Sequence, residues 1–207
     1  MDTKITGNRD IIRLPQPSLK GNMSVEEAIK IRRSRRNYKN EALDLREVSQ
    51  LLWAAQGITG NAQYYKSAPS AGATDPIEIY IITGNVRNLE NGVYHYNPLE
   101  NTITLKIPGD LRDDLCNAAL NQGCVRDASV DILITAVYER TTSKYGERGI
   151  RYIYMGVGHV AQNVYLQAES LNLSTVVVGA FDDNMIKRLL NLSNEEPLYI
   201  MPVGKRL

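Results

Sequence analysis

Apolar and polar positions recur at two different periods along the chain, and the changes of period mark its elements. Leu45, Val48, Leu51, Leu52 and Ala55 follow helical spacing from a capping pair, Asp44 with Glu47, to a stop at Gly57. Ser24-Val25-Glu26-Glu27 is a second capping box and predicts a helix running to about Arg33. Between Tyr152 and Leu171 the apolar residues Ile153, Val157, Val160, Ala161, Val164 and Ala168 predict a long helix that is apolar on more than one side, as a central element would be. Shorter helices are predicted over residues 111–120 and 184–190, the latter capped by Asp182 or Asp183. Runs of β-branched residues predict strands at 77–83, 130–138, 175–178 and 198–203, with a hairpin of 93–96 and 102–105 around Asn97-Pro98. Strands and helices do not alternate strictly, so the class is α+β around one sheet.

Composition bounds what this fold can serve. With 207 residues, 43% hydrophobic and 23% charged, the chain can bury one sizeable core, which argues against a disordered tail or a generally basic nucleic-acid coat. Residues 1–22, with Gly7, Pro15, Pro17 and Gly21, read as an extended lead-in to a single domain over 23–207. No apolar run approaches the roughly 18 residues of a membrane span, and the first eight residues lack the apolar core of a signal peptide, so a cytoplasmic protein with no membrane partner is expected. Cys116, Cys124, His95 and His159 have no metal-binding spacing; Cys116 reads as a small core residue, and no metal is expected.

Charge is unevenly placed. Lys30, Arg32, Arg33, Arg35, Arg36 and Lys39 put six cations into ten residues with no acid, leaving 18 basic against 23 acidic residues elsewhere. A solvated face would interleave acids, and a nucleic-acid track would need more than Tyr38 for stacking; a single phosphate group, matched by guanidinium forks and the Ser34 hydroxyl, ranks first. The run of small residues from Ser67 to Pro76 reads either as a turn or as a place where a flat ligand approaches backbone, with Ser70 as a donor. Gly156-Val157-Gly158-His159-Val160-Ala161 matches a dinucleotide pattern, but no buried strand precedes it. Those glycines are expected inside the helix, permitting close packing of another helix, with His159 a packed or partner-facing residue. No nucleophile elbow, zinc-protease or Walker motif is present.

Four segments together resemble the nitroreductase family of FMN flavoproteins: residues 31–36 (IRRSRR), Pro69-Ser70-Ala71-Gly72-Ala73, residues 158–163 with Ala168, and Val178-Gly179-Ala180-Phe181-Asp182 with Pro202-Val203-Gly204. Residues 52–57, 69–73 and 143–148 are similar to the branch of that family containing the SagB-type azoline oxidases. The resemblance implies a mostly antiparallel sheet flanked by helices, a homodimer with FMN at the subunit interface, and ping-pong two-electron chemistry at the flavin N5 with NAD(P)H as a candidate reductant. It assigns Arg32, Arg33, Ser34 and Arg36 to the phosphate and ribityl oxygens, with Arg36 carrying much of the affinity. Pro69, Ser70, Ala71, Gly72 and Ala73 would surround the ring, Gly179 and Ala180 would offer backbone to the N5 side, and Lys205 and Arg206 would complete the phosphate site. Lys144 and Tyr145 match a proton-removing pair, and burial of Lys144 beside Arg148 or Arg151 would suit a base. Two departures stand out. Ala73 occupies a position where many members have Asn, and the chain ends three residues after Gly204, where several relatives carry a longer basic arm. The expected function is that of an FMN-dependent oxidoreductase acting on a small molecule. The alternatives are a dehydrogenase of an azoline-like substrate and a non-catalytic binder of a phosphorylated ligand or nucleic acid through residues 30–39.

Overall fold

Two apolar faces on one buried sheet organise the molecule. The computed structural model describes residues 11–60 and 65–207; the first ten residues of the expected lead-in lie outside them. Eight strands form the sheet: β1 (Ile11–Arg13), β2 (Tyr38–Lys39), β3 (Ile77–Thr83), β4 (Gly92–Asn97), β5 (Thr102–Pro108), β6 (Val130–Ala136), β7 (Leu173–Thr175) and β8 (Glu196–Arg206). Their order is β1-β5-β4-β3-β6-β8-β2, with β7 also on β8, and each pairing is antiparallel. The helices are α1 (Val25–Ile31), α2 (Leu45–Gln56), α3 (Arg112–Ala118), α4 (Gly123–Arg126), α5 (Glu139–Tyr145), α6 (Arg148–Ser170) and α7 (Asp183–Leu190). The α+β expectation therefore holds.

β6 is buried along its whole length because it has a core on each side. Val130, Ile132, Ile134 and Ala136 meet Leu51 and Leu52 of α2 and Val157, Val160 and Val164 of α6. Leu133 faces the second core, with Leu115 of α3, Val125 of α4 and Ile186 of α7. Asp131 is fully buried, and neither of its carboxylate oxygens has a hydrogen-bond partner among the described residues. Burial pushes its pKa well above the usual carboxylate range, against a smaller opposing effect of the Arg112 charge.

Several boundaries differ from expectation for identifiable reasons. α1 stops at Ile31 because the backbone N–H groups of Arg33 and Arg35 are claimed by the Glu169 carboxylate and the Thr175 carbonyl, not by a helical turn. The strand expected at 175–178 is instead β7 at Leu173–Thr175; the Val177 N–H donates to the Tyr165 hydroxyl (2.8 Å), and Val178 makes only a single bridge to Ile200. The stretch containing Thr141 and Lys144, for which the sequence pattern predicts no element, is the helix α5. Thr141 faces inward at 1% exposure, with its hydroxyl 2.7 Å from that of Thr74. Gly146, at φ +56°, then turns the chain into α6. Of the two glycines expected to admit another helix, Gly156 is covered within the chain, where a Cβ would sit 3.5 Å from Ile77 and 4.0 Å from the Pro69 carbonyl, whereas Gly158 opens outward with no described residue within 4 Å of a Cβ.

Candidate functional site

α6 templates the arginine segment. Tyr165 and Glu169, four residues apart and hence on one helix face, both reach residues 32–35. The Ser34 and Tyr165 hydroxyls are 3.0 Å apart, and the Arg32 guanidinium lies 5.1 Å from the Tyr165 ring centroid. Glu169 has 3% side-chain exposure, accepts the Arg33 N–H at 3.1 Å, and pairs with Arg35 and, at 2.6 Å, with Arg206. Burial opposes ionisation of Glu169, yet the Arg35 and Arg206 guanidiniums together hold its carboxyl below the usual carboxylate range.

Pairing of β2 with β8 sets Tyr38 opposite Arg206 and Lys39 opposite Lys205, which brings the C-terminal cations beside the cluster. Both are already engaged: Lys205 with Glu47 at 2.7 Å, Arg206 with Glu169 and with the Leu173 carbonyl at 2.8 Å. The Arg206 Nε–H is buried without an acceptor among the described residues. Lys30, Arg32, Arg33, Arg36 and Lys39 have no carboxylate partner among the described residues. Arg36 is exposed and its charge acts on Tyr38 and Cys124, toward α4, whereas Arg32, Ser34 and Arg35 turn to α6.

A second group forms where the turn over 69–75 meets α5. Gly72 (φ +58°), Ala73 (+54°) and Asp75 (+44°) are left-handed, and Gly72 and Ala73 are exposed. The Ser70 hydroxyl serves the turn itself, donating to Asp75 Oδ1 (3.1 Å) and accepting the Asp75 N–H (3.2 Å). Lys144 Nζ donates to the Gly72 carbonyl at 3.2 Å, and a Cβ on Gly72 would fall 2.2 Å from the Tyr145 hydroxyl. Tyr145 in turn packs edge-on against Tyr152, ring centroids 5.2 Å apart. Arg140 braces α5 from its other end, reaching the Asp75 carbonyl at 2.9 Å and Glu78 at 2.6 Å. The expected burial of Lys144 is absent: it ends α5 as an exposed residue of the single chain. A cavity of about 520 Å³ beside the turn, lined by Lys66, Asp75, Glu78, His95 and Tyr96, contains neither Lys144-Tyr145 nor the arginines.

The two groups do not meet within one chain. Pro69 lies against Gly156 and Ser34 against Tyr165; these α6 positions are nine residues apart, and at about 100° per residue they face opposite sides of the helix. Gly179 and Ala180 form a third, exposed element, tied by the Ala180 carbonyl to Gln122 Nε2 at 2.9 Å. Between the first two groups α6 presents an open face with Tyr154 and Met155 each 54% exposed, together with Gly158 and His159; Val25 and Ile29 of the adjacent α1 are also exposed. Glu169 and Tyr165 were not among the expected site residues, because a lone acid and one of three tyrosines on a helix read for its apolar positions carry no local signal.

The sequence model of the Nitroreductase family matches residues 29–205. A Methanocaldococcus jannaschii protein named as a nitroreductase is 44% identical over 198 residues, 96% of this chain and 98% of its own length. The microcin B17-processing protein McbC of Escherichia coli is 26% identical over 171 residues; the match covers 78% of this chain but only 62% of McbC. Among solved structures, a nitroreductase from Ralstonia eutropha superposes with a TM-score of 0.83 at 26% identity, covering 97% of this chain and 91% of that one. A nitroreductase from Desulfovibrio desulfuricans in complex with FMN shares the fold, with a TM-score of 0.64 at 22% identity over 88% and 86% of the two chains.

Proposed function

The chain belongs to the nitroreductase family and is an FMN-dependent oxidoreductase, and we propose that it acts as a homodimer whose subunits each contribute half of each flavin site. The observation that carries this reading is the half-turn of α6 between the arginine segment and the 69–73 turn. Neither group is a complete site alone, and the exposed apolar face between them is where a second copy would bring the complementary half. The residues fit the cofactor: Arg32, Arg33 and Arg36 have no carboxylate partner among the described residues and suit a phosphate dianion, while the exposed Gly72 and Ala73 leave room for a flat ring.

When bound, FMN supplies two-electron hydride chemistry at N5, used in a ping-pong cycle with NAD(P)H as the reductant. The protein's own residues do the rest. Arg32, Arg33 and Arg36 bind and orient the phosphate end, Ser34 and the backbone of Gly179 and Ala180 supply polar contacts, and the dimer face excludes water. The Tyr165 ring holds the Arg32 guanidinium whereas Arg36 is exposed, so Arg32→Ala should weaken FMN binding about 10- to 100-fold and Arg36→Ala should weaken it less. Fluorescence titration of FMN into each variant measures both.

A second reading is favoured by the contact of Lys144 and Tyr145 with the Gly72 turn: a dehydrogenase of an azoline-like ring, in which this pair takes the substrate proton. The similarity to McbC points the same way. Anaerobic titration of the purified yellow protein with NADH and NADPH, followed by nitroaromatic, quinone and azoline substrates, separates the two readings. Protein that stays colourless after incubation with excess FMN would overturn both.

The dimer has its own test. Met155→Glu places a charge on the open face of α6 and should yield monomers that lose FMN, measured by light scattering with absorbance detection. A parent chain that is monomeric at micromolar concentration and fully loaded with FMN would refute the shared site.

A further inference from the structure

We propose that Glu169 is a positioning residue for the cofactor phosphate: it fixes the arginine segment from behind and removes Arg35 and Arg206 from the set of phosphate ligands. The inference rests on the FMN reading above and adds a division of labour among the cations. Glu169 is nearly inaccessible, so it cannot itself face a dianion in solvent, and both its oxygens are engaged, one by Arg33 N–H and Arg35 and the other by Arg206. These partners come from two distant parts of the chain, the segment after α1 and the end of β8, and both are held to one turn of α6.

The Arg33 bond matters most. Drawing that backbone N–H inward sends the Arg33 side chain outward, where it caps the Lys30 and Arg32 carbonyls at 3.2 and 2.8 Å and remains exposed. Four residues earlier on the same face, Tyr165 holds Ser34 by its hydroxyl and Arg32 by its ring. The segment is thus built before a ligand arrives, which lowers the ordering cost that binding would otherwise carry. Arg35 points to the interior and Arg32 toward the ring because the anion behind them has sorted the cluster.

A carboxylate beside arginines can act in the opposite sense, competing with phosphate for them, and the two roles give opposite signs. The experiment compares FMN with riboflavin, which lacks the phosphate, by fluorescence titration of the parent, Glu169→Gln and Glu169→Asp. Positioning predicts that Glu169→Gln weakens FMN about 10-fold or more, leaves riboflavin within about 2-fold, and is largely rescued in Glu169→Asp. Unchanged or tighter FMN binding by Glu169→Gln would overturn the proposal, as would an equal loss for both ligands, which marks a purely structural role. If Glu169→Gln does not fold, Glu169→Ala decides by the same ratio, with Glu169→Asp still the rescue: a loss in Glu169→Ala confined to FMN supports positioning, and an equal or absent loss refutes it. A parent chain that binds neither flavin would instead refute the cofactor reading; one that binds both equally would refute the phosphate clamp alone.

Discussion

Lys144→Ala and Tyr145→Phe should each lower turnover of a dehydrogenation substrate by about 100- to 10,000-fold, the range expected when a positioned acid or base is removed, while FMN affinity changes little. Both groups stand at the Gly72 turn, with Lys144 on the Gly72 carbonyl and the Tyr145 hydroxyl over the glycine itself. A residue with a side chain at position 72 would displace them, and its backbone would be strained at φ +58°. In the single chain Lys144 is exposed, so the water exclusion a proton transfer needs must come from the second copy and the substrate. Stopped-flow measurement of flavin reduction by NAD(P)H, separately from substrate oxidation, distinguishes the outcomes. Parent-like rates in both variants on an identified dehydrogenation substrate would leave the pair no role as base and limit the azoline-oxidase likeness to the scaffold.

The second large effect concerns stability. Asp131 has an ordinary value of 3.8 when unfolded and a raised one in the fold, so above about pH 4 the unfolded chain releases a proton that the folded chain keeps. Its contribution therefore falls as pH rises, by up to about 1.4 kcal/mol per pH unit, until the folded carboxyl itself ionises. Asp131→Asn removes the titration at nearly constant volume. Relative to the parent, the variant should gain stability progressively as the pH rises above about 4, read from urea unfolding at a series of pH values. Parallel stability curves for the two proteins would show that Asp131 ionises normally in the fold. Glu169 works in the other direction, its lowered pKa making its contribution largest above the carboxylate range and lost as the solution is acidified.

What was legible in the sequence followed from short-range chemistry. Strand β3 falls where its β-branched run predicts it, and α7 starts behind Asp182, whose carboxylate accepts the Met185 N–H at 2.8 Å. α2 begins with the reciprocal Asp44 and Glu47 box. The elements missed are those that only tertiary partners define. β2 has two residues and exists because β8 lies beside it; α5 contains Thr141, Thr142 and Ser143, weak helix formers stabilised by packing on α6. The same division runs through the site. Arg32–Arg36 and Gly72 announce themselves by composition, whereas Glu169 meets Arg35 across 134 residues and Arg206 across 37, separations at which no pattern in the sequence connects them.

One unbroken helix of 23 residues, about 34 Å long, would in the proposed homodimer back the phosphate clamp of one flavin and the ring-side turn of the other. The two redox centres of such a dimer would therefore be geared together. A tilt of α6 that loosens one centre carries the same displacement to its twin, because a rigid rod transmits movement and does not absorb it. Departure of one flavin would then leave its neighbour in an altered frame, making vacancy a condition of the proposed assembly and not of a single subunit.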